Sequence, residues 1–340
     1  MAVRVGINGF GRTGRALLRA ARVRGLGLDV VAVNDLATPV ALARLLARDS
    51  VYGRFDEPVG VDGEEMVIGA DRIMMLAQSD VETLPWRELE VDVVVECTGR
   101  FTARDQAARH LAAGAPRVVV SAPSKGADAT FVMGVNDDTF DPERHIVVSN
   151  ASCTTNCLVP MVKVIDDAFG VERGFMTTIH AYTGDQRLVD SVHKDPRRAR
   201  AAAVNIVPTS TGAARSTGEV LPHLAGRLDG MALRVPVPDG SMTDLVATVR
   251  ERPDADEVRE VFRRAASVGP LVGRLEYTEE ALVSSDIVGD PASCVFDAEL
   301  TMAADHVVKV LGWYDNEWGY ANRLAELTAK VGEVSGSCRQ

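Results

Sequence analysis

The chain has 340 residues, of which 46% are hydrophobic and 25% are charged, and its formal net charge is −11. This length favours two globular domains, and the acidic balance argues against a general binder of nucleic acid or of acidic membranes. Five cysteines at irregular spacing, with no signal peptide and no apolar run long enough to span a bilayer, favour a cytoplasmic protein without a disulfide framework.

A glycine motif follows the first predicted strand, Val3–Ile7. It reads Gly9-x-Gly11-x-x-Gly14 and opens a helix rich in alanine, leucine and arginine. Glycines at this spacing permit a tight turn and bring the backbone close to a pyrophosphate at the helix N-terminus. The pattern predicts a dinucleotide site, although a lone match of this kind is weak.

A second predicted strand, Val30–Val33, ends in Asn34-Asp35. Asp35 follows Gly14 by 21 residues, close to the spacing of the carboxylate that binds the adenosine ribose. A carboxylate there also repels a 2′-phosphate, so the sequence predicts NAD rather than NADP. The alternative is that Asp35 is an ordinary turn residue.

Strands and helices then alternate. Thr38-Pro39 should cap a helix that runs through Ala47, and residues 51–80 contain short runs typical of hairpins. The further predicted elements are a strand at Val91–Val95, a helix at Thr102–Ala113 stopped by Gly114, and a strand at Val118–Val120. This alternation predicts an α/β fold with a Rossmann-type doubly wound parallel sheet.

The stretch Ser149–Cys157 reads Ser-Asn-Ala-Ser-Cys-Thr-Thr-Asn-Cys and lies between an apolar strand and a predicted helix that contains Pro160. Unpaired N–H groups and the helix dipole at such a turn are expected to lower the thiol pKa of Cys153 and make it a nucleophile. Cys157, one turn deeper, fits a small buried hydrophobe. No further ligands follow at metal-site spacing, so we expect no metal.

The second half changes in character. Helices are fewer, near Gly212–Leu221 and Asp254–Ser267, and Thr183–Asn205 should be a long functional loop. The predicted strands are Phe175–Ile179, Met231–Val237, Asp244–Arg250 and His306–Trp313, and Glu317–Val331 should form a terminal helix. This pattern indicates an α+β domain with a mixed or mostly antiparallel sheet.

His180, at the end of a predicted strand, is the first candidate base for Cys153. The other five histidines fit structural or surface roles. Cationic candidates for an anion site are Arg234 and the run Arg197–Arg200, which could equally be a solvated face. The hydroxyl-rich segment Thr209–Gly212 suits phosphate at a helix start, with simple N-capping as the alternative.

The chain resembles the phosphorylating glyceraldehyde-3-phosphate dehydrogenase family from Val5 to about Leu327. The resemblance is carried by an ordered series of motifs: residues 6–12, Ser149–Cys157, His180–Thr183, His193–Asp195, 197–203, 208–214, Arg234–Pro236 and Trp313–Tyr320. It implies an NAD-binding domain at 1–151, a catalytic domain at 152–316, and a C-terminal helix 317–333 that packs back on the first domain.

The resemblance also implies a mechanism. Cys153 attacks the aldehyde of D-glyceraldehyde 3-phosphate, His180 acts as base, hydride passes to NAD, and inorganic phosphate releases 1,3-bisphosphoglycerate from a thioester. The implied phosphate-binding residues are Ser152, Thr154, Thr183, Arg198, Thr211, Gly212 and Arg234. The implied cofactor-binding residues are Gly9, Phe10, Gly11, Arg12, Thr13, Asn34, Asp35, Thr98, Gly99, Phe101, Ser121, Asn316 and Tyr320. A homotetramer is implied, in which the loop Thr183–Asn205 reaches a neighbouring subunit, and neither nucleic acid nor membrane is expected as a partner.

Several positions depart from the family pattern. Gln78-Ser79 replaces an adenine-side arginine motif, Ser191-Val192 blurs the preference for NAD over NADP, and Gly184 replaces an asparagine beside Thr183. The clustering of changes around the phosphate loops motivates the hypothesis of an isoform that tolerates a thiol-directed inhibitor, with neutral drift as the alternative. The alternatives to a glyceraldehyde-3-phosphate dehydrogenase function are an erythrose-4-phosphate dehydrogenase and a non-catalytic thiol redox sensor.

Overall fold

The computed structural model describes residues 2–336, which divide into two compact units. The first unit comprises the chain up to Phe131, Thr139–Ala151 and the chain from Ala321 onward. The second comprises Val132–Asp138 and Ser152–Tyr320.

The first unit is built on a parallel-rich sheet. Its strands are β1 (Val3–Asn8), β2 (Leu28–Asn34), β3 (Arg48–Asp49), β4 (Gly53–Arg54), β5 (Val59–Asp62), β6 (Glu65–Ile68), β7 (Asp71–Leu76), β8 (Val93–Glu96), β9 (Val118–Val120), β10 (Ala129–Thr130) and β11 (Val147–Ser149). Apart from the small β3–β4 ladder, they form one sheet in the order β10-β11-β9-β8-β1-β2-β7-β6-β5.

Pairing from β10 through β7 is parallel, and β7-β6-β5 is an antiparallel meander. The doubly wound sheet and the hairpins predicted within residues 51–80 are therefore confirmed. Strands β8, β9 and β11 are buried along their whole length, which explains why they are continuous runs of valine rather than alternating patterns.

The second unit contains a mixed sheet, as predicted. Its strands are β12 (Val171–Ala181), β13 (Val207–Ser210), β14 (Leu228–Val235), β15 (Ser241–Val249), β16 (Leu275–Thr278), β17 (Cys294–Ala304) and β18 (Val307–Tyr314). They are ordered β13-β14-β12-β15-β18-β17-β16, with β12–β14 and β16–β17 parallel and the other pairs antiparallel. Strands β13, β16 and β17 were not predicted.

Eight α-helices complete the described residues. They are α1 (Arg12–Arg24), α2 (Pro39–Ala47), α3 (Arg104–Ala107), α4 (Arg109–Ala112), α5 (Cys153–Phe169), α6 (Ala213–Val220), α7 (Ala255–Ser267) and α8 (Trp318–Gly336). The Thr38 hydroxyl accepts a hydrogen bond from the Ala41 N–H and caps α2 as expected.

The single helix predicted at Thr102–Ala113 is wrong, because the structure has α3 and α4 there. They meet at Ala108, whose ψ of −15° is far from the α-helical value. The N–H of Leu111 bonds to the carbonyl of Ala108, three residues back, so the turn tightens and the helix is interrupted.

The loop predicted at Thr183–Asn205 contains only one short 3₁₀ turn, Ala202–Val204. No helix within residues 2–336 is long and apolar enough to cross a membrane. The four cysteines in this part of the chain are free thiols, namely Cys97, Cys153, Cys157 and Cys294. The fifth, Cys338, lies outside the described residues.

Candidate active site

Cys153 is the first residue of α5. The helix is capped by Ser152, whose hydroxyl oxygen accepts from the Thr155 N–H at 3.0 Å. The Cys153 sulfur lies 3.4 Å from Nε2 of His180. The structure therefore brings together the thiol and the imidazole that the sequence proposed as partners.

The turn before this helix is tight. Ala151 is fully buried and has φ of 54°, in the left-handed region. Its N–H donates to the Ser149 hydroxyl oxygen at 3.0 Å, and that hydroxyl donates to the Ala122 carbonyl at 2.7 Å. A non-glycine residue with this φ stores backbone strain, which the surrounding hydrogen bonds must hold.

His180 is held as a hydrogen-bond acceptor toward the sulfur. Its Nδ1 lies 2.7 Å from the carbonyl oxygen of Ala181. Nη1 of Arg234 lies 3.0 Å from the same Nδ1, but the Ala181 carbonyl and the Thr183 hydroxyl can accept its two hydrogens. Because the carbonyl can only accept, we assign the hydrogen of the imidazole to Nδ1, which leaves the lone pair on Nε2, facing Cys153. Burial, aided by the nearby Arg234, lowers the pKa of His180 to about 3. The imidazole is therefore neutral at physiological pH and able to take a proton.

The expected low pKa of the Cys153 thiol is wrong. Burial raises this pKa to about 11, against the opposing effects of Arg234, the Thr154 hydroxyl and the backbone N–H groups at the start of α5. Loss of hydration around the sulfur outweighs the helix start, because desolvation disfavours the charged form. The pair at rest is therefore a neutral thiol facing a neutral imidazole.

Tyr314, at the end of β18, is a neighbour of the thiol that the sequence did not single out. Its hydroxyl lies 2.9 Å from the Thr154 hydroxyl and 2.8 Å from the Thr178 hydroxyl. Its ring meets the His180 ring edge-on, with centroids 5.9 Å apart at 76°. Tyr314 thus packs against the base and ties down Thr154, which is only 4% exposed.

Arg234 and Thr183 also come together near the imidazole. The Arg234 Nη1 donates to the Ala181 carbonyl at 3.1 Å and lies 3.2 Å from the Thr183 hydroxyl. Its Nε is buried without a hydrogen-bond partner among the described residues. A guanidinium with an unused buried N–H is suited to receive an anion that brings its own acceptor oxygens.

A second cationic group, Arg198, is already engaged. Its Nε donates to the Thr209 hydroxyl at 2.9 Å, and its Nη1 is paired with the Asp185 carboxylate. The Thr211 hydroxyl accepts from the Ala213 N–H at 3.2 Å, and Gly212 is the N-cap residue of α6 without a side-chain cap. Thr211 and Gly212 could therefore serve either to cap the start of α6 or to bind a phosphate.

The first unit contains a cleft of about 260 Å³ at the carboxyl ends of its parallel strands. Among its lining residues are Asn8, Gly9, Gly11, Asn34, Asp35, Gln78, Ser79, Thr98 and Phe101. Gly9 has φ of 95°, and a Cβ on Gly14 would lie 2.2 Å from the Gly9 carbonyl oxygen. These glycines are therefore required by the close turn, as the fingerprint predicts.

The Asp35 carboxylate is anchored at the edge of this cleft. It accepts from the Phe10 N–H at 2.8 Å and from the Ala37 N–H at 3.0 Å. Arg12, by contrast, forms an ion pair with Asp49, with its Nη1 3.0 Å from the Asp49 Oδ2. The open backbone at Gly11 and the fixed carboxylate of Asp35 fit a dinucleotide whose ribose hydroxyls are unmodified.

The remaining predicted cofactor residues are distributed over both units. Thr13 is partly buried at the start of α1, Gly99 has φ of 69° beside Thr98, and Ser121 hydrogen-bonds the Cys97 thiol. Asn316 and Tyr320 belong to the second unit, where both are buried and the Asn316 Oδ1 accepts from the Ser241 hydroxyl.

Comparisons with known proteins point to one family. Residues 3–104 match the family model described as glyceraldehyde 3-phosphate dehydrogenase, NAD binding domain, and residues 152–316 match the C-terminal domain of the same family. The chain is similar to glyceraldehyde-3-phosphate dehydrogenase 2 of Streptomyces arenae, with 56% identity over 98% of this chain and 99% of that protein.

Two further relatives carry the same name without a number. The protein of Kitasatospora aureofaciens is 57% identical over 95% of this chain and 97% of its own length. That of Geobacillus stearothermophilus is 53% identical over 97% of this chain and 98% of its own length.

Proposed function

This chain belongs to the glyceraldehyde-3-phosphate dehydrogenase family, and on that premise we propose that it oxidises D-glyceraldehyde 3-phosphate to 1,3-bisphosphoglycerate with NAD and inorganic phosphate. The observation that carries the proposal is the Cys153 sulfur 3.4 Å from Nε2 of His180, whose ring hydrogen we assign to Nδ1. Family membership favours this function over an erythrose-4-phosphate dehydrogenase and over a redox sensor.

The chemistry follows from the neutral pair. As the Cys153 sulfur bonds to the aldehyde carbon, His180 takes the thiol proton and returns it to the carbonyl oxygen, which gives a hemithioacetal. Nε2 of His180 then removes the hydroxyl proton while the hydride leaves, and a thioester remains on Cys153. Bound NAD supplies the hydride acceptor. Inorganic phosphate attacks the thioester carbon and releases the thiol.

Helix α5 assists the same centre. Backbone N–H groups of Cys153 and Thr154 are directed at the sulfur, where they lower the pKa that burial raises. N–H donors at a helix start also favour negative charge on the oxygen of a reacting carbonyl. Removing one such donor typically costs about 10²–10³ in rate.

Two phosphate groups must be bound near Cys153. We assign the C3 phosphate of the substrate to Thr183 and Arg234, because the buried Nε of Arg234 has no partner within residues 2–336. The attacking phosphate is assigned to the set Ser152, Thr154, Thr211, Gly212 and Arg198. Arg198 must then share its guanidinium between the phosphate and Asp185.

For the cofactor we propose the thirteen residues implied by the resemblance, with Asp35 selecting NAD. They divide between the glycine-motif residues Gly9, Phe10, Gly11, Arg12 and Thr13, the strand-end residues Asn34, Asp35, Thr98, Gly99, Phe101 and Ser121, and the second-unit residues Asn316 and Tyr320. We propose residues 1–151 as the NAD-binding domain and residues 152–316 as the catalytic domain, with helix 317–333 assigned to the first.

The direct test is NADH formation by the purified protein with D-glyceraldehyde 3-phosphate, with and without inorganic phosphate, and with NAD or NADP. We expect sustained turnover only when phosphate and NAD are both present. A higher kcat/KM with erythrose 4-phosphate, or turnover that is indifferent to phosphate, would contradict the assignment. No turnover with any of these substrates would favour a redox sensor.

We propose self-association into a homotetramer. One face of the mixed sheet exposes large apolar side chains, with Phe175 72% exposed beside its cross-strand neighbour Val246. The loop after β12 adds Leu188 and Val192, which are 82% and 91% exposed. Exposed apolar groups on this scale are typical of protein interfaces. Light scattering of Phe175→Asp should show smaller species than the unchanged protein, and an unchanged mass would contradict a role for this face.

Gly184 is the position on which the inhibitor-tolerance hypothesis depends. A Cβ at Gly184 would meet nothing within 4 Å, so Gly184→Asn adds a side chain without a clash. If Gly184 confers tolerance, a thiol-directed epoxide should inactivate Gly184→Asn faster than the unchanged protein. Equal inactivation rates would remove this residue from the explanation.

A further inference from the structure

A buried chain of polar side chains joins the carboxyl ends of three neighbouring strands beneath the NAD cleft. Its members at the strand ends are Asn8 of β1, Asn34 of β2 and Glu96 of β8, which are 1%, 3% and 2% exposed. His110 and Trp86, both fully buried, extend the chain away from the cleft. Glu96, His110 and Trp86 take no part in the proposed reaction.

Glu96 is the centre of this chain. Its Oε1 accepts from the backbone N–H of Thr98 at 2.7 Å and from the Thr98 hydroxyl. Its Oε2 accepts from the Asn8 amide at 2.6 Å and lies 3.2 Å from Nε2 of His110. Four donors on two oxygens match the acceptor capacity of an ionised carboxylate, which has no hydrogen to donate.

The proton on His110 is fixed by Trp86. The indole N–H of Trp86, which can only donate, lies 3.0 Å from Nδ1 of His110. Nδ1 is therefore the acceptor, and the imidazole carries its hydrogen on Nε2, directed at Glu96. His110 consequently cannot reverse its role and accept a hydrogen bond from residue 96.

From Asn8 the network reaches a second segment that lines the cleft. The Asn34 amide donates to the Asn8 oxygen at 2.7 Å and to the Gln78 carbonyl at 2.9 Å, while the Gln78 N–H donates to the Asn34 oxygen at 2.8 Å. Thr98 and Gln78 belong to different segments of the chain, and both line the cleft. A single buried carboxylate thus links the segments that shape the cleft.

We infer that Glu96 is a positioning residue for the adenosine half of NAD, although it does not line the cleft itself. It fixes Thr98 directly and Gln78 through Asn8 and Asn34, so the cleft is formed before the cofactor binds. Preformed sites bind more tightly, because less ordering cost is paid on association. This inference rests on the proposed use of NAD and extends it to a residue outside the cofactor contacts.

Glu96→Gln is the sharpest change, because it keeps the shape and replaces one oxygen by a donor. His110 and Asn8 both donate toward one side, so the glutamine oxygen must stay there. The glutamine NH₂ then faces the Thr98 N–H, which loses its acceptor. The wall at Thr98 is expected to loosen, and the amide N–H left without a partner weakens binding by about tenfold.

The chain offers a matched control on the same strand. Asp92 directly precedes β8, is 3% exposed, and accepts from the Arg4 N–H at 2.9 Å. It therefore marks the opposite end of β8 from Glu96. Asp92→Asn makes the same chemical change to a buried carboxylate away from the cleft.

ADP-ribose, which carries the adenosine half without nicotinamide, is the probe, and calorimetry of the full-length protein is the measurement. We expect Glu96→Gln to bind ADP-ribose about tenfold more weakly and Asp92→Asn to bind it like the unchanged protein. Unchanged affinity in Glu96→Gln, or an equal loss in both variants, would overturn the inference. Because the probe needs no turnover, failure of the proposed reaction would not be mistaken for failure here.

A second variant, which keeps Glu96, covers the case in which Glu96→Gln folds poorly. Thr98→Val removes the hydroxyl contact with little change in shape, and we expect it to weaken ADP-ribose about threefold. Where it folds, the double variant should bind like Glu96→Gln alone, since both changes act on the contacts of one carboxylate oxygen, Oε1 of Glu96. In turnover, Glu96→Gln should raise KM for NAD and leave kcat within about twofold. Additive losses, or a fall in kcat at an unchanged KM, would count against positioning.

Discussion

The cofactor cleft of the first unit and the thiol site of the second treat charge in opposite ways. Around the cleft, the buried Glu96 carboxylate is matched by four donors and Asp35 by two backbone N–H groups. Around Cys153, by contrast, Arg234 has a buried Nε without a partner in the described part of the chain. The carboxylates at the cleft thus have their hydrogen-bond donors within the protein, whereas the buried N–H of Arg234 at the thiol site needs an acceptor that a bound anion can supply.

The difference indicates how each region should respond to change. A satisfied network gives a preformed shape, and its loss should appear mainly in binding. A site with an unpaired buried cation can stabilise charge on the substrate and on the transition state. Removing that cation should therefore lower mainly the reaction rate and the substrate affinity. The following changes test this contrast, from the largest expected effect to the smallest.

Cys153→Ser should lower kcat by at least about 10⁴-fold, because the hydroxyl is a far weaker nucleophile than the thiol. NADH formation at saturating substrates measures it. Cys157→Ser is the matched control, one helical turn away and fully buried. The control should keep nearly full turnover, so equal losses in the two variants would argue against Cys153 as the reacting group.

His180→Asn should lower kcat by about 10²–10⁴-fold and change its pH dependence. Burial raises the pKa of the Cys153 thiol to about 11, so without a base the thiolate fraction should grow about tenfold per pH unit up to that pKa. In the unchanged protein His180 stays neutral above its pKa of about 3, so the base is present throughout and the slope should be shallower. Parallel pH profiles would contradict this role for His180.

Arg234→Leu should raise KM for the sugar phosphate by about 100-fold, because a buried charge pair with the phosphate is lost. The free energy of unfolding should change by no more than about 1 kcal/mol, since removing a buried cation offsets its lost hydrogen bonds. Arg198→Leu provides the contrast, because it leaves the Asp185 carboxylate without its guanidinium partner. Chemical denaturation of both variants measures the difference, and a larger loss of stability for Arg234→Leu would refute the contrast.

Asp35→Asn should give the smallest change. Removing the negative charge should raise the ratio of kcat/KM for NADP to that for NAD by about tenfold, because a 2′-phosphate is no longer repelled. The side chain keeps one acceptor for Phe10 or Ala37, so the turn should survive. An unchanged ratio would mean that another group sets the preference.

Local patterns predicted the strands and turns that carry the chemistry. The glycine motif, the Thr38 cap, the start of α5 at Cys153 and the mixed sheet all follow from spacing and residue type. The pairing of Cys153 with His180 was also anticipated, because a histidine at a strand end is directed toward the functional edge of a sheet.

Features of the folded chain that residue patterns do not show account for what was missed. Helix propensity over Thr102–Ala113 gave no sign of the break at Ala108. The pKa of Cys153 depends on how much water the folded chain removes from the sulfur, which no neighbouring residue reveals. The acceptor role of His180 depends on the Ala181 carbonyl, and the contact with Tyr314 spans 160 residues of sequence from Thr154.

The left-handed turn at Ala151 has a consequence for how this sequence can vary. Its positive φ disfavours β-branched and bulky residues, while complete burial disfavours the polar residues that otherwise tolerate such a backbone. Alanine and glycine are the side chains that satisfy both demands. Among folded variants from a saturation library at position 151, almost all should therefore carry alanine or glycine. Backbone conformation and burial together limit which residues this position accepts.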